Sequence, residues 1–141
     1  MLVTDAQKTI VQNTFAKVAA IDDTAVLFYQ RLFELDPSLR PLFRGAIAEQ
    51  RRQLILTLGT VVRGLDRFDH LVPLLRSLGR RHAGYAVVNT HYDTFADALL
   101  WTLERTLGSD FTSEVKAAWT AVYTQLAMTM KDAAREVLVA V

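Results

Sequence analysis

The stretch Leu71-Val72-Pro73-Leu74-Leu75-Arg76-Ser77-Leu78-Gly79-Arg80-Arg81-His82 decides how this chain is read. Leu71, Leu74, Leu75, Leu78 and His82 recur at the spacing of one face of an α-helix. A face that buries leucines is expected to bury His82 with them. A buried imidazole needs partners for its ring nitrogens, and the stripe's own side chains offer none. One reading is a core histidine bonded to a backbone carbonyl. The other is a metal ligand, since neutral imidazole is the commonest metal-binding side chain.

The rest of the chain follows the same period. Thr4 and Gln7 form a capping-box signature ahead of Ile10, Val11, Thr14, Phe15 and Val18. Asp22 and Asp23 interrupt the pattern or sit in the first turn of a second helix reaching about Leu35, with Ala25, Phe28, Tyr29, Leu32 and Phe33 on one face. Asp36 followed by Pro37 predicts a capped short helical turn ending near Phe43. A longer helix carries Gln50, Leu54, Leu58, Val61 and Leu65, with Gly64 and Asp66 at its end. After the His82 helix, Ala83 to Thr90 is expected to be a loop. Tyr92, Phe95, Leu99, Leu103 and Leu107 mark the next helix, and Gly108 to Glu114 breaks it. A final helix carries Val115, Trp119, Val122, Leu126, Met130 and Val137. No segment alternates as a strand does, so the expectation is an all-α domain of six to seven amphipathic helices spanning residues 1–141.

Composition narrows the function classes. The chain has 141 residues, 51% hydrophobic and 22% charged, which is enough apolar surface for a packed core. A net charge of +1 gives no electrostatic reason to expect nucleic acid or an anionic membrane as partner. With no cysteine there is no disulfide, no thiolate metal site and no thioether-linked haem. The start Met1-Leu2-Val3-Thr4-Asp5 lacks the pattern of a signal peptide, and no run of eighteen apolar residues occurs, so a cytoplasmic protein is expected.

Three hydrogen-bonding side chains interrupt apolar stripes on three different helices: Tyr29, Gln50 and His82. Each has an ordinary reading taken singly, as a core phenol, a first-turn amide and a core imidazole. Together they have the character of polar groups aimed at one buried ligand.

The stretches Phe28–Phe43 (FYQRLFELDPSLRPLF), Glu49–Leu54 (EQRRQL) and Leu78–Tyr92 (LGRRHAGYAVVNTHY) carry a resemblance to globins, in particular to bacterial single-domain haemoglobins akin to the globin part of flavohaemoglobins. The likeness runs from about Thr4 to Met130. It implies a globin fold around haem b, with His82 as the iron ligand and Phe43 and Leu54 against the haem faces. It also implies Tyr29 and Gln50 as donors to a diatomic gas (O2, NO or CO), with Gln53 as a rival to Gln50. Arg80 or Arg81, beside His82, is the candidate for a haem propionate, with Arg81 preferred. Tyr92 matches a tyrosine that, in flavohaemoglobins, joins a glutamate in bonding the proximal histidine. Here Ala134 stands where that glutamate is expected, and Glu136 lies two residues too far. His70 gets no role.

The function so implied is reversible gas binding at five-coordinate ferrous iron. Nitric oxide dioxygenation is a further possibility and would use an external reductase, because no G-x-G-x-x-G fingerprint is present. A gas or redox sensor acting through a partner protein is the alternative, and a purely structural bundle leaves the three polar residues unexplained. A monomer or weak homodimer is expected.

Overall fold

A computed structural model describes residues 3–43, 45–84, 87 and 89–139, with side chains through Glu136. Among them are six α-helices, in order α1 (Asp5–Ala19), α2 (Thr24–Leu35), α3 (Ile47–Arg63), α4 (Phe68–Gly84), α5 (Asn89–Leu107) and α6 (Ser113–Val139). Short 3₁₀ turns at Pro37–Leu42, Leu65–Arg67 and Gly108–Asp110 join them. No strand occurs among the described residues.

The local signals act as the sequence predicts. The Thr4 side chain accepts from the Gln7 N–H and the Gln7 side chain accepts from the Thr4 N–H, so two orphan donors of α1 are satisfied together. Asp36 accepts from the Ser38 N–H, and Pro37 follows it where a missing N–H costs nothing. Gly64 caps α3, its N–H reaching the Thr60 carbonyl at 3.2 Å. Gly108 ends α5 with φ +57°, a left-handed conformation that glycine adopts without a Cβ clash.

Leu65, expected on α3, lies in the 3₁₀ turn after it, and the α4–α5 connection also departs from expectation. Ala83 and Gly84 continue α4, and Asn89 and Thr90 already belong to α5, so the connection is shorter than expected. Gly84 is tolerated at the end of a helix, and Asn89 opens one as readily as it sits in a loop. The Val87 N–H donates to the His82 carbonyl at 3.0 Å and closes the end of α4. The Val137 side chain, expected on the α6 stripe, lies outside the described residues.

The core sits between α6 and the two helices packed most extensively on it, α4 and α1, with α2 laid across α5. Val11, Phe28, Leu32, Leu65, Leu75 and Leu103 are fully enclosed. A buried hydrogen-bond chain ties α6 to α1: Trp119 Nε1 donates to Thr14 Oγ1 at 2.8 Å, and Thr14 donates to the Ile10 carbonyl at 2.7 Å. Gly79 is where α4 meets α6, and a Cβ there would fall 2.2 Å from the Met130 carbonyl oxygen. Only glycine permits that approach, and it fixes the height and rotation of α4 one turn before His82.

Two amphipathic faces stay incompletely covered. On α3, Ile47, Leu54, Ile55 and Leu58 are part-exposed while Val61 and Val62 further along are buried. On α4, Leu74 and Leu78 are part-exposed while Leu71 and Leu75 are buried. These two helices pack on other elements and not extensively on each other.

Candidate functional site

His82 departs from the burial its stripe predicts. Leu71 and Leu75 turn toward the core, whereas His82 is half-buried and shares the less covered side of α4 with Leu74 and Leu78. Its Nδ1 lies 2.6 Å from the Leu78 carbonyl oxygen, one helical turn earlier. The helix backbone thus supplies the partner that the stripe's side chains lack. A carbonyl only accepts, so Nδ1 carries the proton, and in the neutral ring the lone pair is on Nε2. Desolvation lowers the His82 pKa below its ordinary value against the opposing pull of the Leu78 bond, and Arg81 pushes the same way as desolvation. The ring is accordingly neutral at pH 7. A carbonyl-anchored Nδ1–H with a free Nε2 is the tautomer a metal-ligating imidazole uses.

Tyr29 lies on α2 and is 5% exposed. Its hydroxyl donates to the backbone carbonyl of Gln50 at 3.2 Å, tying α2 to the first turn of α3. That length is long for an O–H···O bond, so the contact is weak and can be exchanged for a better acceptor. Burial pushes the phenol pKa up to about 12, so it remains a proton donor throughout the physiological range. Its ring is boxed by aromatic neighbours, edge-on to Phe28 at 5.2 Å and to Phe43 at 5.4 Å, and stacked with Phe33 at 5.9 Å. Four aromatic rings in contact hold the phenol in one orientation.

Gln50 and Gln53 are separated by their surroundings. Gln50 is half-buried and beside Tyr29; Gln53 is exposed, with its amide toward Glu49 Oε1 at 3.5 Å. Phe43 closes the 3₁₀ turn and packs edge-on against Phe33 at 5.6 Å as well as against Tyr29. Leu54 is part-buried, one turn along α3 from Gln50. Arg81 is exposed next to His82. His70 is exposed and pairs with Asp69 at 3.7 Å, as a surface residue does.

Tyr92, on α5, stacks beside His82 with ring centroids 6.5 Å apart. Its hydroxyl is buried and has no hydrogen-bond partner, so it does not bond the imidazole. Glu136 is occupied elsewhere, paired with Arg76 of α4. Two neighbours escaped the sequence reading. Tyr123 donates to the Tyr92 carbonyl at 2.8 Å, and Lys131 Nζ stands 5.3 Å from the Tyr92 ring centroid. Lys131 precedes Ala134 by three residues, hence on the same side of α6, and that spacing was the available signal.

Among the described residues no group of three or more His, Cys, Asp or Glu side chains is placed to hold a metal ion. Likewise no helix is long and apolar enough to cross a membrane.

Comparison with known proteins bears on the family and the fold. The chain is 32% identical over 128 residues to a flavohemoprotein of Xylella fastidiosa, a match covering 88% of this chain and 32% of the relative. A flavohemoprotein of Pseudomonas aeruginosa is 28% identical over 144 residues, covering 99% of this chain and 37% of its own length. The chain therefore spans about a third of these relatives. Among solved structures, an engineered carbene transferase derived from a provisionally assigned nitric oxide dioxygenase of Rhodothermus marinus superposes with TM-score 0.88 at 22% identity, covering 99% of this chain and 98% of that one. A hexacoordinated heme protein from an anhydrobiotic tardigrade superposes with TM-score 0.82 at 16% identity, covering 94% and 95%. The Globin family model matches residues 26–130, from α2 into α6 and including both Tyr29 and His82, and the chain belongs to the globin family.

Proposed function

We propose that the protein is a haem b globin that reversibly binds dioxygen and other diatomic gases, nitric oxide and carbon monoxide among them. The observation that carries this reading is the state of His82, neutral, with Nδ1–H anchored on the Leu78 carbonyl and Nε2 left for a ligand bond. The part-exposed apolar faces of α3 and α4, which do not close on each other, fit a flat apolar cofactor. Absence of cysteine favours a non-covalent haem.

When bound, ferrous haem supplies an open coordination position for a diatomic gas. The remaining work belongs to the chain. Nε2 of His82 would hold the iron, with the Leu78 carbonyl keeping the ring from turning. Phe43 and Leu54 supply apolar walls that exclude water. Arg81, exposed at the end of α4, is placed to meet a propionate. Tyr29 would donate its O–H to a bound gas, exchanging the long bond to the Gln50 carbonyl for a partially charged acceptor worth about 1.5–3 kcal/mol. Gln50 adds a second donor from the start of α3. Turnover as a nitric oxide dioxygenase would draw electrons from an external reductase, and the flavohemoprotein relatives favour that partner.

Gas release kinetics test the assignment. Tyr29→Phe keeps the ring and its aromatic contacts and removes only the donor. Dioxygen release should quicken about tenfold or more, with carbon monoxide release changing far less because its outer oxygen carries little charge. Gln50→Leu should act in the same direction more weakly, and the double variant should depart from the sum of the singles. Equal acceleration of both gases would reduce Tyr29 to a space-filling role.

A further inference from the structure

We propose that Lys131 acts through Tyr92 as a positioning residue that makes the surroundings of His82 electropositive and shifts the iron toward the ferrous state. This rests on the haem reading above and concerns which oxidation state this chain favours. The Lys131 ammonium stands 5.3 Å from the Tyr92 centroid, and that ring stacks 6.5 Å from His82. The ammonium is therefore within about 12 Å of the imidazole, with an aromatic ring in contact with both. No ion pair to Lys131 occurs among the described residues.

The carboxylates at this end of α6 are occupied by arginines: Glu136 pairs with Arg76, and Asp132 with Arg135. Asp93 lines the same groove as Lys131 and forms no ion pair with it. The imidazole Nδ1–H donates to a neutral carbonyl, Leu78, and the buried Tyr92 hydroxyl donates to nothing. No anion therefore draws the Nδ1 proton and enriches the ring in electron density. Two cations stand near His82, Lys131 behind Tyr92 and Arg81 beside the ring. A positive charge near the iron disfavours loss of an electron. At an effective dielectric of about 20, one charge at about 12 Å changes that equilibrium by up to about tenfold, and partial solvent screening brings it to about threefold.

The test is the midpoint potential of the haem-loaded protein, read by spectroelectrochemical titration at pH 7. Lys131→Met keeps the apolar stem and removes the charge. It should lower the ferrous-to-ferric ratio at fixed potential about threefold to tenfold, or roughly 30–60 mV at 59 mV per tenfold for one electron. Lys131→Glu should shift it further in the same direction, and Lys131→Arg should restore the wild-type value. Lys116→Met removes one charge from the exposed side of α6, about 22 Å away along the helix, and should leave the potential unchanged. A Lys131→Met potential equal to wild type, or a Lys116→Met shift of the same size, overturns the proposal while leaving the haem reading intact. A wild-type chain that takes up no haem overturns both.

Discussion

Gly79→Ala isolates the contact that sets α4 against α6. The added Cβ would lie 2.2 Å from the Met130 carbonyl oxygen and 2.8 Å from Met130 Cα and C, all backbone atoms that cannot rotate aside. Restoring the 3.4 Å at which such contacts become ordinary requires the helices to part by roughly 1.2 Å. Overpacking of this kind costs about 1–3 kcal/mol, offset by up to about 1 kcal/mol because alanine is the better helix former. Because the clash is with backbone atoms, the cost lies toward the upper end of that range, and the net expectation is a loss of about 2 kcal/mol, or a fall of roughly 4–8 °C in the thermal midpoint. Because His82 is three residues along the same helix, the displacement should also weaken haem retention. Gly84→Ala makes the same chemical change in the same helix where nothing lies within 4 Å. It should leave stability unchanged or slightly raised. Both variants are compared by chemical denaturation of the apoprotein. A Gly79→Ala protein as stable as wild type would refute the close helix crossing and the account of how α4 is positioned.

Thr14→Val strands the buried Trp119 N–H and should cost about 1–3 kcal/mol by urea denaturation, with little effect on gas release. Tyr29, Tyr92 and Tyr123 all have pKa values raised by burial, Tyr29 to about 12. Phenolate absorbance should therefore appear above the usual tyrosine range, and Tyr29→Phe should remove a step near pH 12. Since the folded Tyr29 pKa is raised, its contribution to stability is complete below pH 10 and lost as pH climbs from 10 to 12. Tyr29→Phe should flatten that part of the stability curve. Arg76→Met frees Glu136 and should leave the gas-release rates within about twofold, because Glu136 is exposed and its charge is screened by solvent.

The helix order is legible because it rests on local spacing. The Thr4–Gln7 box, the Asp36-Pro37 turn and the Gly64 and Gly108 terminators are one-turn features, and they formed as read. The α4–α5 connection is not legible, because Gly84 and Asn89 are compatible with both helix ends and loops. The surroundings of His82 were less legible, since its partner is a backbone carbonyl, which every residue carries and no pattern marks. Lys131 reached Tyr92 through a crossing of α5 and α6 that only the tertiary structure shows. Gly79 likewise reads in sequence as a weak helix position, and its purpose appears only once Met130 is placed against it.

The central claim is that His82 is the protein's ligand to haem iron. Reconstituting wild type and His82→Ala with haem, then recording the ferrous Soret band before and after carbon monoxide, tests it most directly. The account predicts one haem per wild-type chain, with a band that shifts on reduction and again with the gas. It predicts little retained haem in His82→Ala and less stabilisation by added haem, because a ligand that binds only the folded state stabilises by mass action. Full haem retention with an unchanged ferrous spectrum in His82→Ala would contradict it.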